Sequence, residues 1–139
     1  EGVGLRFESG MDVPDLMEVT LLKRGYWNRA WKSRYCILDS KGRLRYYKSK
    51  EALENGQAPL GRIAVCSRCC LDRKGQGGYG PDEDGYLFDM FIPSNGQPND
   101  RTFRFCVSSA KDYERWLDAL QQVRLKMTYA CFRGVDNWW

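Results

Sequence analysis

The chain has 139 residues, enough for one domain with a real hydrophobic core, and its 42% hydrophobic and 29% charged residues fit neither a disordered tail nor a membrane-embedded chain. No apolar run approaches the roughly 18 to 20 residues a bilayer-spanning helix needs. The absence of histidine excludes Ser-His-Asp and Cys-His nucleophile systems and histidine-ligated metals.

The formal net charge of +4 conceals a dipole: Lys23 to Lys50 holds ten basic residues against one acidic residue, net +9, while the rest of the chain nets −5. Such a distribution turns one face toward an anionic partner: a phosphoinositide, an acidic lipid surface, a nucleic acid or an acidic peptide. The competing reading of any charge run is a solvated face of two strands. Six cysteines (Cys36, Cys66, Cys69, Cys70, Cys106, Cys131) are expected as reduced thiols, because a chain of this size needs no staples and opens on no signal peptide; the expectation is an intracellular protein. Glu1 stands where an initiator Met would be, so a piece of a longer protein is expected, with residues 1–16 as flank, 17–125 as the domain and 126–139 as a C-terminal extension.

In chain order, Met17 to Arg24 reads as a first strand, and Trp31 to Leu38 as a second. Its alternation puts Lys32, Arg34, Cys36 and Leu38 on one face and Ser33, Tyr35 and Ile37 on the other. Gly25 to Ala30 is the hairpin loop between them. Asp39 to Gly42 is a tight turn into a third strand, Arg43 to Lys48, where Leu44 and Tyr46 share a face. Glu54 to Pro59 breaks the pattern; Gly61 to Cys66 and Cys69 to Asp72 follow as short strands, and Arg73 to Gly85, with its glycines and acidic run, reads as a long exposed loop. Tyr86 to Ile92 and Thr102 to Val107 supply strands six and seven. The period then changes: Tyr113, Trp116, Leu117, Leu120 and Val123 recur at helical steps behind the capping pattern of Ser109 and Asp112.

Cys66-x-x-Cys69-Cys70 invites a zinc reading, but it is one pair where a structural site takes two, and no histidine completes it; no metal and no cofactor are expected. Asp82, Glu83 and Asp84 lie in a glycine-rich loop that cannot fix their geometry and read as solvated.

Seven strands and a closing helix, with Lys23-Arg-Gly, Trp31-Lys-Ser-Arg34-Tyr-Cys-Ile-Leu, Leu44-Arg-Tyr-Tyr47 and Glu114-Arg-Trp116-Leu-Asp-Ala-Leu120, resemble the pleckstrin homology (PH) family from about Met17 to Leu125. The resemblance implies a mainly β fold: a seven-stranded antiparallel barrel of two near-orthogonal sheets capped by one C-terminal α-helix, with Trp116 in its core. Lys23, eight residues, then Lys32-Ser-Arg34-Tyr-Cys-Ile resembles the basic pattern of the phosphoinositide-binding members. Independently of any family, two basic side chains two apart on a strand point the same way, and a third crosses from the hairpin partner, so three cations converge where a phosphorylated ring can accept charge-assisted hydrogen bonds worth roughly 1.5–3 kcal/mol each.

The Lys23-Arg-Gly start, the spacing from it to Trp31, Ala58-Pro-Leu60 and Arg101-Thr-Phe103 are similar to the protein kinase B type of PH domain. That likeness implies Arg101 as a further headgroup ligand and Tyr46 as a hydroxyl donor. It departs around Leu60-Gly61, where a basic residue or asparagine often stands, leaving Arg62 as the nearby cation. Tyr26 and Trp27, with Arg29 on the same basic hairpin, are expected at a lipid headgroup boundary, against the alternative of loop aromatics packed on the barrel. The first expectation is a non-enzymatic module that brings its parent signalling protein to a membrane through a polyphosphorylated inositol lipid, a 3-phosphorylated one included. It would be cytoplasmic and recruited peripherally. The second is a protein-interaction or autoinhibitory PH domain with weak, non-specific lipid binding. Nucleic acid fits the charge alone and no recognisable binding motif.

Overall fold

The computed structural model describes residues 13–24, 30–77, 80–81, 83–92 and 101–132, with side chains described as far as residue 126. In chain order the elements are β1 (Asp15–Arg24), β2 (Lys32–Asp39), β3 (Arg43–Tyr47), α1 (Lys50–Glu54), β4 (Gly61–Ala64), β5 (Cys70–Gln76), β6 (Tyr86–Ile92), β7 (Arg101–Val107) and α2 (Ala110–Phe132). The strands pair antiparallel in the order β4-β3-β2-β1-β7-β6-β5. The two halves of the fold are hydrogen-bonded into one sheet because β1 serves both: it pairs with β2 from Asp15 to Lys23 and, through Leu22, Lys23 and Arg24, with β7.

Register decides which residues meet, since residues opposite one another across an antiparallel pair share a face. Met17, Val19, Leu21 and Lys23 of β1 oppose Leu38, Cys36, Arg34 and Lys32 of β2. Cys36 and Leu38 in turn oppose Tyr46 and Leu44 of β3. The apolar members of this face join Phe88, Met90, Phe105 and Val107 in the main core, which α2 closes with Tyr113, Trp116, Leu117, Leu120 and Val123, the same five positions its periodicity marks. Ser109 caps the helix as expected, its Oγ accepting from the Asp112 N–H at 3.1 Å. In the β2–β3 turn the buried Asp39 accepts from the backbone N–H groups of Lys41 and Arg43 and from Arg43 Nε, all within 3.0 Å.

The structure departs from the sequence reading in two elements. Lys50–Glu54 is a short helix, capped by Ser49, whose Oγ accepts from the Ala52 N–H at 3.0 Å. Little more than one turn is too short to show a helical period. Its Leu53 packs on Tyr35, Ile37 and Tyr47, a second small cluster on the outer face of β2 and β3. Strand β5 also continues to Gln76 through residues expected in the loop. Asp72, Arg73 and Lys74 are charged because β5 is an edge strand, where charge discourages pairing with other chains. Its glycine belongs to a bulge: the register shifts between Arg73 and Gly75, and Gly75 has φ +76°, a region L side chains adopt only with strain.

Candidate functional site

Among the described residues Lys23 is the one buried lysine. It continues the inward series Met17, Val19, Leu21, so period 2 delivers an ammonium to the end of a core face. The side chain is 8% exposed, and its Nζ lies 4.2 Å from the Tyr46 ring centroid and 4.6 Å from that of Phe103. Two aromatic faces thus hold the cation by their quadrupoles. Burial lowers its pKa from 10.5 to about 8; Arg34 pushes the same way, while Cys36 opposes it.

Around Lys23 the register assembles a mouth. Lys32 is its direct partner on β2, Arg34 follows two residues on, and Tyr46 comes from β3. Arg101 begins β7 on the same alternating face as Phe103 and Phe105. Burial raises the Tyr46 phenol's pKa, with Cys36 adding to the rise, while the positive fields of Arg101 and Arg34 counter it. The positive fields of these two guanidiniums are thus felt at the phenol whose ring holds Lys23. Beneath them Cys36 is buried, its thiol pushed up to about 12 by burial against the lowering effect of Lys23 and Arg34. Gly61 makes room for this arrangement: it opposes Tyr46 across β3 and β4, and a β-carbon there would run into the tyrosine ring.

Six basic side chains elsewhere on the surface have carboxylate partners: Arg43 with Asp39, Arg45 with Asp15, Arg73 with Glu114, Lys74 with Asp72, Arg104 with Asp89 and Arg115 with Asp112. Among the described residues no carboxylate pairs with Lys23, Lys32, Arg34 or Arg101. These four cations, one of them buried, form an electropositive cluster at one end of the inward face of the sheet.

Of the residues singled out from the sequence, Lys23, Lys32, Arg34, Tyr46 and Arg101 come together. Arg62 does not: it opposes Arg45 on the outer face of β3 and β4, because it is one residue out of phase with Gly61. Tyr26, Trp27 and Arg29 lie outside the described residues. Phe103 is the contributor the sequence reading passed over; its signal was its position two residues beyond Arg101 in an alternating strand. Cys69 has a structural part: its Sγ is 3.5 Å from both the Cys66 N–H and the Ala64 carbonyl, tying the β4–β5 turn, while Cys70 is exposed. Among the described residues no group of three His, Cys, Asp or Glu side chains is placed to hold a metal.

A cavity of about 360 Å³ lies on the other face of β1 and β2, lined by Thr20, Leu22, Ser33, Asp84, Cys106 and Ser108. Its one charged lining residue is the carboxylate Asp84, so it lacks the cations the mouth gathers.

A family model described as PH domain matches residues 15–124, which spans β1 through most of α2. The chain belongs to the PH domain family. It is 28% identical over 123 residues to oxysterol-binding protein-related protein 9 of Xenopus tropicalis, a match covering 88% of this chain and 15% of that protein. The chain thus spans about one seventh of the length of that relative. The C-terminal PH domain of pleckstrin, solved in complex with D-myo-Ins(1,2,3,5,6)P5, superposes with a TM-score of 0.57 at 21% identity, covering 81% of this chain and 98% of that one. The Slm1 PH domain, solved in a study of ligand binding in its non-canonical site, gives a TM-score of 0.61 at 18% identity, covering 78% and 96%. These likenesses bear out the PH fold. They are of other kinds than the protein kinase B type that the opening motif resembles.

Proposed function

We propose that this PH domain binds the headgroup of a polyphosphorylated inositol lipid in the mouth formed by Lys23, Lys32, Arg34, Tyr46 and Arg101, and so holds the protein that carries it at a membrane surface. The observation that carries the reading is the buried ammonium of Lys23, which among the described residues has no carboxylate partner and is flanked by three further cations without one. Burying a charge without a partner is costly, and a phosphate supplies the missing partner. The complexes of the pleckstrin and Slm1 PH domains with inositol phosphates support the same class of ligand. The proposed role is binding: the mouth offers cations and one phenol as hydrogen-bond donors to phosphate oxygens.

The finer reading is that the lipid carries a 3-phosphate, the preference implied by the likeness of Arg101 and Tyr46 to the protein kinase B type. Sedimentation with phosphatidylcholine vesicles containing phosphatidylinositol 4-phosphate, 4,5-bisphosphate or 3,4,5-trisphosphate, or phosphatidylserine at matched negative charge, tests both levels. Retention on a phosphoinositide well above phosphatidylserine, lost in the Lys32→Ala/Arg34→Ala variant, is expected. Equal retention on phosphatidylserine would defeat the headgroup reading, and equal retention on the 4,5- and 3,4,5-phosphorylated lipids would remove the 3-phosphate preference alone.

A further inference from the structure

A lysine ammonium on a free four-carbon stem is a point charge that follows whatever phosphate arrives, so a mouth of such lysines counts phosphates more than it locates them. Lys23 is held otherwise. Its side chain is buried, and its Nζ rests on two ring faces from different strands, 4.2 Å from Tyr46 of β3 and 4.6 Å from Phe103 of β7. The rings are themselves fixed. Phe103 belongs to the main core, two residues along β7 from Phe105, which is the register partner of Lys23 and stacks on Phe88 at 4.9 Å. Tyr46 packs against the same core and lies over Gly61, where a β-carbon would displace its ring. The other three cations are less constrained: Lys32 and Arg101 are exposed, and Arg34 is half-buried. Two neutral rings also hold a cation differently from a carboxylate. They attract the ammonium through their quadrupoles but leave its charge unneutralised and its N–H donors available to phosphate oxygens.

Resting on the reading of the mouth as a headgroup receptor, we propose that Phe103 is a specificity-determining positioning residue: with Tyr46 it pins the Lys23 ammonium, so that the mouth recognises phosphates by position rather than by number. A fixed donor forms its charge-assisted bonds without first losing side-chain freedom, and that gain goes only to an isomer with a phosphate where the donor stands. An isomer with the same number of phosphates placed elsewhere meets the adaptable cations alone. Gly61 is part of the same device, because its missing β-carbon leaves the Tyr46 ring its place over Lys23. Neither Phe103 nor Gly61 carries charge, so neither alters the field that draws a polyanion to the mouth.

The probes are two soluble isomers with the same number of phosphates, inositol 1,4,5-trisphosphate and inositol 1,3,4-trisphosphate, titrated calorimetrically into the wild type and the Phe103→Leu, Phe103→Tyr and Gly61→Ala variants. The wild type is expected to prefer one isomer by about tenfold, and Phe103→Leu to bring the two within about twofold, chiefly by weakening the preferred one. Phe103→Tyr keeps a ring face and should keep the preference. Gly61→Ala acts on another strand and should lose it as Phe103→Leu does, which decides the matter if the leucine variant does not fold. Relaxation of the Lys23 ammonium NMR signal in the ligand-free proteins reads the pinning directly: restricted motion in the wild type and Phe103→Tyr, free motion in Phe103→Leu. A purely packing role for Phe103 would move the unfolding temperature but neither the isomer ratio nor this signal. An isomer ratio unchanged in both Phe103→Leu and Gly61→Ala, or equal wild-type affinity for the two isomers, overturns the proposal and leaves anion binding at the mouth standing. Failure of the wild type to bind either trisphosphate defeats the headgroup reading and the proposal with it.

Discussion

At the scale of single residues, Lys23 sets stability against function. The unfolded chain keeps the proton to about pH 10.5, whereas the folded chain releases it near pH 8. Between those values the unfolded state binds more protons, so stability rises with pH across that window. Below pH 8 the fold carries the full cost of a buried cation, and Lys23→Met should stabilise the protein by about 1–3 kcal/mol at neutral pH while abolishing inositol phosphate binding. Binding has the opposite pH sign, because a phosphate favours the protonated amine: affinity should fall as pH rises past about 8. Thermal unfolding from pH 7 to 10.5 and calorimetric binding over the same range check both signs. A destabilised Lys23→Met protein, or an affinity flat through pH 9, would contradict this account of the lysine.

At the scale of elements, one hydroxyl hydrogen-bonds the helix to two strands of the sheet. Tyr113 of α2 donates to the Leu87 carbonyl of β6 at 2.8 Å and accepts from the Gly75 N–H of β5 at 3.2 Å, so it satisfies the bulge that ends the regular pairing of the edge strand. Tyr113→Phe leaves that N–H and carbonyl without this partner and should cost about 1–3 kcal/mol, read by denaturant unfolding. Faster amide exchange confined to β5 should accompany it, while inositol phosphate binding stays unchanged. The same element shows what sequence reveals and what it conceals. The α2 core positions and the alternating faces of β2 are legible because each follows the period of one element, and period alone brings Lys32 and Arg34 to one face. Arg62 was misjudged as a neighbour because proximity in sequence to Gly61 says nothing of phase: one residue along a strand is the opposite face. The far end of β5 was hidden because an edge strand needs no apolar pattern; its hydrogen bonds to β6, not its side chains, define it. The contact of Phe103 with Lys23 is made between β7 and β1, a relation no local pattern encodes.

At the scale of the whole molecule, the +9 stretch covers β2, β3 and the end of β1, and the sheet order turns that stretch of sequence into one side of the mouth. Six of the other basic side chains are neutralised in pairs, which lowers the competing positive field away from the mouth. A diffuse field attracts any polyanion and is screened by salt, whereas converging hydrogen-bond donors distinguish one phosphate arrangement from another. The decisive measurement is calorimetric titration with soluble inositol phosphates differing at the 3-, 4- and 5-positions, at near-physiological salt, on the wild-type protein and the Lys32→Ala/Arg34→Ala variant. Isomer-dependent binding that disappears in the double variant, with its unfolding temperature unchanged, is the predicted result. Weak binding that only tracks the number of phosphates and survives the double substitution would contradict a headgroup receptor in this mouth.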